Sequence, residues 1–280
     1  IRMVARDAST QIDAVYTNPA GLVKLNEGLH FSFTNQSAFQ TRTITSTSPI
    51  YLMNGRQETR SFKGNASAPI IPSFQGAYKK GKWVLSGSFA VSGGGGKATF
   101  DNGLPSFEAV AGTGASVVQL AGYKANKYQV EQNMKGSNFI FGGQLGGSYE
   151  INDMFSVYGG FRLNIVSNKY EGYLRGLKMN LTPAAAPDYS GQMVYANAIF
   201  DAIEANPALT EEQRTLMGIL SKASSDEGAQ LESTQSGWGV APIIGFNFNY
   251  QNKLNIGVKY EFKTSLDVEN DTKRDDTGLF

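Results

Sequence analysis

The chain has no cysteine and only one histidine, His30. Disulfide and thiol chemistry are therefore excluded, and the usual zinc sites have no ligand set to draw on. Charge of one sign is lacking too. Its 25 basic residues against 24 acidic ones leave a formal net charge of +1 over 280 residues. That balance gives no electrostatic reason to expect nucleic acid as a partner. Long apolar runs are absent as well. The mean hydropathy is slightly negative, and no stretch is long enough for a membrane-spanning helix. This last absence leaves a transmembrane barrel open, because barrel strands alternate apolar and polar residues and average to neutral.

What the sequence has is glycine, 32 residues of it, with 17 Phe and 13 Tyr. Strict period-2 alternation is its dominant pattern. In WVLSGSFAV, Trp83, Leu85, Gly87, Phe89 and Val91 share one face. FSVYGGFRLNI sets Phe155, Val157, Phe161, Leu163 and Ile165 against Ser156, Arg162 and Asn164. Seven strands are expected, at 29–37, 68–78, 82–92, 137–149, 154–167, 237–250 and 254–265. Each is near the ~9–11 residues that cross a bilayer at a tilt. Their parity sends Phe89, Phe141, Phe161, Phe246 and Tyr260 towards lipid, and Ser88, Gln144, Arg162, Asn247 and Lys259 towards a lumen.

The connections alternate in length. KKGK (79–82), EINDM (150–154) and YQNK (250–253) read as tight turns, while long links fall at about 46–60, 101–135, 181–230 and from 267 onward. Short turns at one end and long loops at the other is the outer-membrane barrel pattern. Tyr78, Trp83, Tyr149, Phe155 and Tyr250 flank the short turns as an aromatic girdle. A soluble sandwich or lipocalin-like barrel shares the alternation, but explains less well why the long loops gather on one side.

The link at 181–230 carries two helical patterns. Ile199, Phe200 and Ile203 share a face in the first, and Leu216, Met217 and Leu220 in the second, which opens with the capping-box spacing Thr210 and Gln213. These six side chains are either a hydrophobic landing groove for a ligand or the packing of a loop over a barrel mouth.

Other candidate sites weaken on inspection. SGGGGKATF (92–100) is not a phosphate loop, since Lys97 is followed by Ala98 and no helix opens there. Gly93, Gly94, Gly95 and Gly96 instead mark a bulge or kink in a wall strand. His30 has no serine elbow and no spaced carboxylate with which to form a triad. DVENDTKRDD (267–276) lacks the central Gly and closing Glu of a calcium loop and reads as a solvated outer loop. No catalytic residue, metal ligand or cofactor site is expected, and the chain is not read as an enzyme.

Near the start stands ARDASTQIDAVYTNPAGL, a short helical segment ending in Asn18-Pro19-Ala20-Gly21-Leu22. It resembles the N-terminal hatch of the FadL family of outer-membrane transporters for long-chain fatty acids and hydrocarbons. IIPSFQGAY resembles that family's second strand. The resemblance implies an all-β fold, a 14-stranded transmembrane antiparallel barrel with the helical hatch folded inside its lumen. Residues 1–26 would be the hatch, truncated at its start, and 27–280 the first half of the barrel, about seven strands. A barrel cannot close on half its strands, so the chain is expected to be a fragment. The third strand of the family kinks inward to make a lateral opening, which would assign that role to Gly93–Gly96. The implied function is passive transport of a long-chain fatty acid or similar hydrophobic ligand across a Gram-negative outer membrane, by outer-loop capture, plug rearrangement and lateral exit. The alternative is a FadL-like barrel serving as a structural subunit among other outer-membrane proteins.

Overall fold

The computed structural model describes residues 6–186 and 191–276. The first five residues of the expected hatch, part of the long third link and the terminal Phe280 lie outside them. Two 3-10 helices, Ile12–Val15 and Pro19–Lys24, precede the sheet. The elements that follow are β1 (Gly28–Thr47), β2 (Thr59–Lys80), β3 (Trp83–Phe100), α1 (Pro105–Val117), β4 (Tyr123–Lys124), β5 (Tyr128–Glu150) and β6 (Phe155–Asn180). Then come β7 (Thr182–Pro183), β8 (Met193–Tyr195), α2 (Asn197–Glu204), α3 (Glu211–Ala223), β9 (Ala229–Tyr250), β10 (Leu254–Glu261) and β11 (Asp267–Asp275).

The long strands pair in the order β1-β2-β3-β5-β6-β9-β10, each antiparallel to the next. The sheet curls into half a barrel around the N-terminal segment, which touches strands from β1 to β10. Side-chain alternation divides its two surfaces. Phe89, Phe161, Phe246 and Tyr260 are exposed on the convex face, while Gln144, Arg162 and Asn247 are buried on the concave one. The convex apolar residues of β6, Phe155 to Ile165, span about 33 Å along the strand. Among the described residues no helix is long and apolar enough to cross a membrane.

The tight turns lie where the sequence puts them. In the three-residue β9–β10 connection Gln251 and Asn252 both have positive φ, 50° and 56°, and Lys253 N donates to Tyr250 O at 2.9 Å, which makes a turn of the primed type.

Three expectations are corrected. Most strands are much longer than expected, 26 residues in β6 and 22 in β9, because their polar upper halves pair as regularly as their apolar lower halves, whereas β10, expected over 254–265, ends at Glu261 after 8 residues. The link at 101–135 contains α1. Its Gly112 and Gly114 lower helix propensity, yet both are sites of close approach: a Cβ on Gly112 would overlap Ile50, and one on Gly114 would sit 2.7 Å from Met179 Cε. Finally, residues 267–275 form β11 and not a solvated loop. β11 pairs with the upper half of β9, Asp271 opposite Thr234, and follows β10 along the same neighbour. It shows no apolar alternation because, above the apolar band, neither face meets a hydrophobic environment.

The register of β11 can be tested in a chain free of cysteine. Thr234→Cys with Asp271→Cys should cross-link on oxidation. Ser236→Cys with Asp271→Cys, one step off register, should cross-link several-fold more slowly by non-reducing electrophoresis.

Candidate functional site

A backbone segment lying against a sheet face cannot join the ladder, so its carbonyls need other donors. The concave wall supplies them. Gln144 Nε2 donates to Val15 O at 2.8 Å, Ser148 Oγ to Pro19 O at 2.6 Å and Ser156 Oγ to Ala20 O at 2.7 Å. Asn255 Nδ2 donates to Ala8 O at 2.6 Å, and Lys79 Nζ to Leu25 O at 3.0 Å. The wall is polar there because the segment presents acceptors.

Asn18 runs the other way and is fully buried. Its Nδ2 donates to Asp7 O and to Phe246 O of β9, both at 3.0 Å, and its Oδ1 accepts from Ala20 N at 3.3 Å as the cap of the second 3-10 helix. Pro19 follows at the first helical position, where no amide donor is missed. Ala20 packs on Tyr158 and Ile243, while Leu22 joins Ala14, Val15, Val23, Ala77 and Val84. Gly21 is tight against the Ser9 carbonyl, and Gly245 and Gly257 of the wall leave the space that Asn18 and Asp7 fill. All five residues of the motif are thus brought into one interface.

Beside it lies a charged cluster that the sequence did not single out. Arg162 donates through Nη1 to both oxygens of Glu261, at 2.8 and 2.9 Å, and through Nη2 to Gln144 Oε1 at 2.7 Å. Its guanidinium stands 4.6 Å from the centre of the Tyr16 ring, a cation–π contact. The parity of β6 had placed Arg162 inward, but nothing local to the sequence paired it with Glu261.

Gly93–Gly96 interrupt the wall. Between β2 and β3 the pairing stops at Ser73–Ala90 and resumes at Ser67–Lys97. Between β3 and β5 it steps from Val91–Phe141 through Gly93–Ile140 to Gly96–Asn138, so β3 carries two more residues than its partner. Gly94 and Gly96 have φ of +109° and +70°, which L side chains rarely adopt. Across the break β2 carries Pro69 and Pro72, neither of which can donate to a ladder. A pocket of about 260 Å³ opens at the break, lined by the four glycines together with Ala38, Arg42, Ala68, Ile71, Val91 and Phe139.

The helical residues lie elsewhere, in a cap over the long-loop end. Phe200, Ile203, Met217 and Leu220 are buried with Phe107, Ala111 and Ala115 of α1 and with Leu177 and Met179 of β6, and Ile199 and Leu216 are partly buried at the edge. In this arrangement the six side chains pack into the cap. A second cluster, also missed, anchors α1: buried Glu108 accepts from Arg56 Nη1 at 2.6 Å, Tyr128 OH at 2.8 Å and Gln132 Nε2 at 2.9 Å, and pairs with Arg60. Burial, and then the Glu108 carboxylate, push the Tyr128 phenol up, so it remains a donor. His30 is half-buried on β1, and its Nε2 lies 2.9 Å from Asn26 O.

No protein-family model matches the chain, and no curated protein matches it.

Two outcomes follow. Asn18→Ala removes both donors to Asp7 and Phe246 and leaves a buried carbonyl without one, at about 1–3 kcal/mol. Trypsin should then cut after Arg6 and Lys24 faster, while the wall keeps its unfolding temperature within a few degrees. At the cap, burial pushes the Asp276 carboxyl up, but Lys222 and Arg274 more than offset this and hold it below the usual carboxylate range. That stability is present above the ordinary carboxylate pKa and is lost as pH falls through the lower native one. Hydrogen exchange in α3 should therefore accelerate only in strong acid, and at a higher pH in Lys222→Met.

Proposed function

We propose that the chain forms one half of an outer-membrane barrel of the FadL type, with residues 6–25 as its plug, and that it admits long-chain fatty acids or similar hydrophobic molecules. The observation that carries this reading is the break at Gly93–Gly96, in a wall whose convex face is apolar and whose concave face is plugged. An unpaired backbone facing lipid costs several kcal/mol per group. A wall strand that leaves its ladder is therefore tolerable only beside protein or a water-lined gap. On the other side of β2 the pairing with β1 shifts as well, and side chains of β1 meet two backbone groups there: Ser37 Oγ donates to Pro69 O at 2.6 Å, and Ile71 N donates to Asn35 Oδ1 at 3.1 Å.

The break lies at the upper edge of the apolar band, one pairing step beyond Val91–Phe141. Ile70 and Phe39 are exposed close by on β2 and β1. An acyl chain leaving the concave side here would meet apolar surface at once, gaining about 0.8 kcal/mol per methylene buried. The Arg42 guanidinium, beside Gly95, would accompany a carboxylate. In this reading flux is passive, and the plug shifts to let ligand past. Such a shift is plausible for a segment held largely by side-chain hydrogen bonds, each contributing only about 1 kcal/mol net.

Gly95 provides the cleanest test. Its φ is not in the positive region, and a Cβ there would meet only the flexible end of Arg42, at 3.2 Å. Gly95→Val should fill the pocket without breaking the bulge, whereas Gly94→Val would strike the Asn138 backbone and confound the result. In cells making the full-length protein, Gly95→Val should lower uptake of labelled oleate several-fold at unchanged surface abundance. Oleate binding to the purified protein should persist. Uptake equal to that of the parent would remove the exit from this region.

A further inference from the structure

Just above the apolar band, the convex face carries lysines on adjacent strands. Lys97 of β3 pairs with Ser137 of β5, and Ser137 pairs with Lys169 of β6, so one line across the sheet reads Lys97, Ser137, Lys169. Lys135 stands two residues further along β5, paired with Glu171. At about 4.8 Å between strands and about 3.3 Å per residue, the three Cα atoms form a triangle roughly 8–10 Å on a side, centred above the Ser137 hydroxyl. Lysine stems reach far enough for all three ammonium groups to meet over that centre.

Glu171 shows that they act on a common point. Its carboxyl is held below the usual range by Lys169 first, then also by Lys135 and Lys97. Lys169 is paired with Glu171 at 2.5 Å, whereas Lys97 and Lys135 form no ion pair with any described residue. Two carboxylates, Glu171 and its cross-strand neighbour Glu232 of β9, which also acts on Lys169 and pairs with Lys273, thus face the three ammonium groups, and the patch keeps an excess of positive charge. Beneath it runs an aromatic column. Phe139 stacks on Phe141 at 6.0 Å, and Phe141 on Phe89 at 6.2 Å. The column leads from the middle of the apolar band to the residue pair below Ser137.

Polar anion chemistry directly above an acyl-chain surface is the profile of a lipid headgroup site. We propose that Lys97, Lys135 and Lys169, over Ser137, bind the phosphomonoester of an outer-leaflet glycolipid whose acyl chains lie along Phe139, Phe141 and Phe89. The proposal rests on the outer-membrane reading but not on transport. The lipid would brace the wall beside the broken β2–β3 ladder, because Lys97 is the first residue of β3 to pair again beyond the glycines.

The full-length protein in phosphatidylcholine nanodiscs containing diphosphoryl lipid A, or the same lipid with its phosphates removed, gives the test by native mass spectrometry. The phosphorylated lipid should be retained preferentially. Each lysine near a charged lipid surface contributes on the order of fivefold, so Lys97→Ala/Lys135→Ala/Lys169→Ala should cut the preference at least about tenfold. The triple arginine variant should restore it, and Lys80→Ala/Lys82→Ala at the opposite rim should leave it unchanged. Equal retention of the two lipids, or an undiminished preference in the triple alanine variant, overturns the proposal. So does full competition by millimolar inorganic phosphate, which would mark a free-anion site. Failure to insert into the nanodisc overturns the membrane reading and the proposal together, whereas insertion without preference overturns the proposal alone.

Discussion

The requirement that every buried backbone carbonyl find a donor shapes most of this molecule. The N-terminal segment cannot enter the ladder, and its short 3-10 turns leave acceptors pointing at the wall. The wall answers with Gln144, Ser148, Ser156, Asn255 and Lys79, drawn from strands across the sheet. A purely apolar concave face would have left those carbonyls unpaired. The polar half of the alternation in β5, β6 and β10 is thus dictated by what lies against it.

Close approach is the second element. Asn18 can reach Phe246 O only because Gly245 and Gly257 carry no side chains. The same residue type has the opposite effect on β3, where Gly94 and Gly96 let the strand depart from its partners. Glycine in this sheet therefore joins in one place and separates in another, and the neighbours decide which. Beside Asn18 the paired strands continue regularly. Beside Gly93–Gly96 the facing strand carries Pro69 and Pro72, and the ladder cannot close.

Much of this was legible beforehand. Period-2 patterns in β3, β5, β6, β9 and β10 fixed both the strand order and the two faces, because each of those strands lies between unlike environments. Asn18-Pro19-Ala20-Gly21-Leu22 stood out as a compact turn before the wall it touches could be known. The upper halves of the strands were not legible, since a strand with water on one side and a polar interior on the other has no apolar alternation to read. β11 is the extreme case. Glu108 was hidden for another reason: its partners come from two distant segments, Arg56 and Arg60 on one side and Tyr128 and Gln132 of β5 on the other, and no local spacing announces such a meeting. Arg162 and Glu261, 99 residues apart, are the same kind of pair.

The contacts of Asn18 and Asn255 also imply an order of events during folding. Neighbouring strands form hairpins from sequence-local contacts, and such pairings are kinetically favoured. The Asn18–Phe246 and Asn255–Ala8 bonds close loops of 228 and 247 residues, and cannot form until β9 and β10 exist. A segment that precedes every described strand is therefore placed only after β9 and β10 have formed. Until β9 and β10 arrive, Ala14, Val15, Leu22 and Val23 have only part of their eventual shelter. During that interval the growing chain presents a short greasy stretch that has no partner of its own.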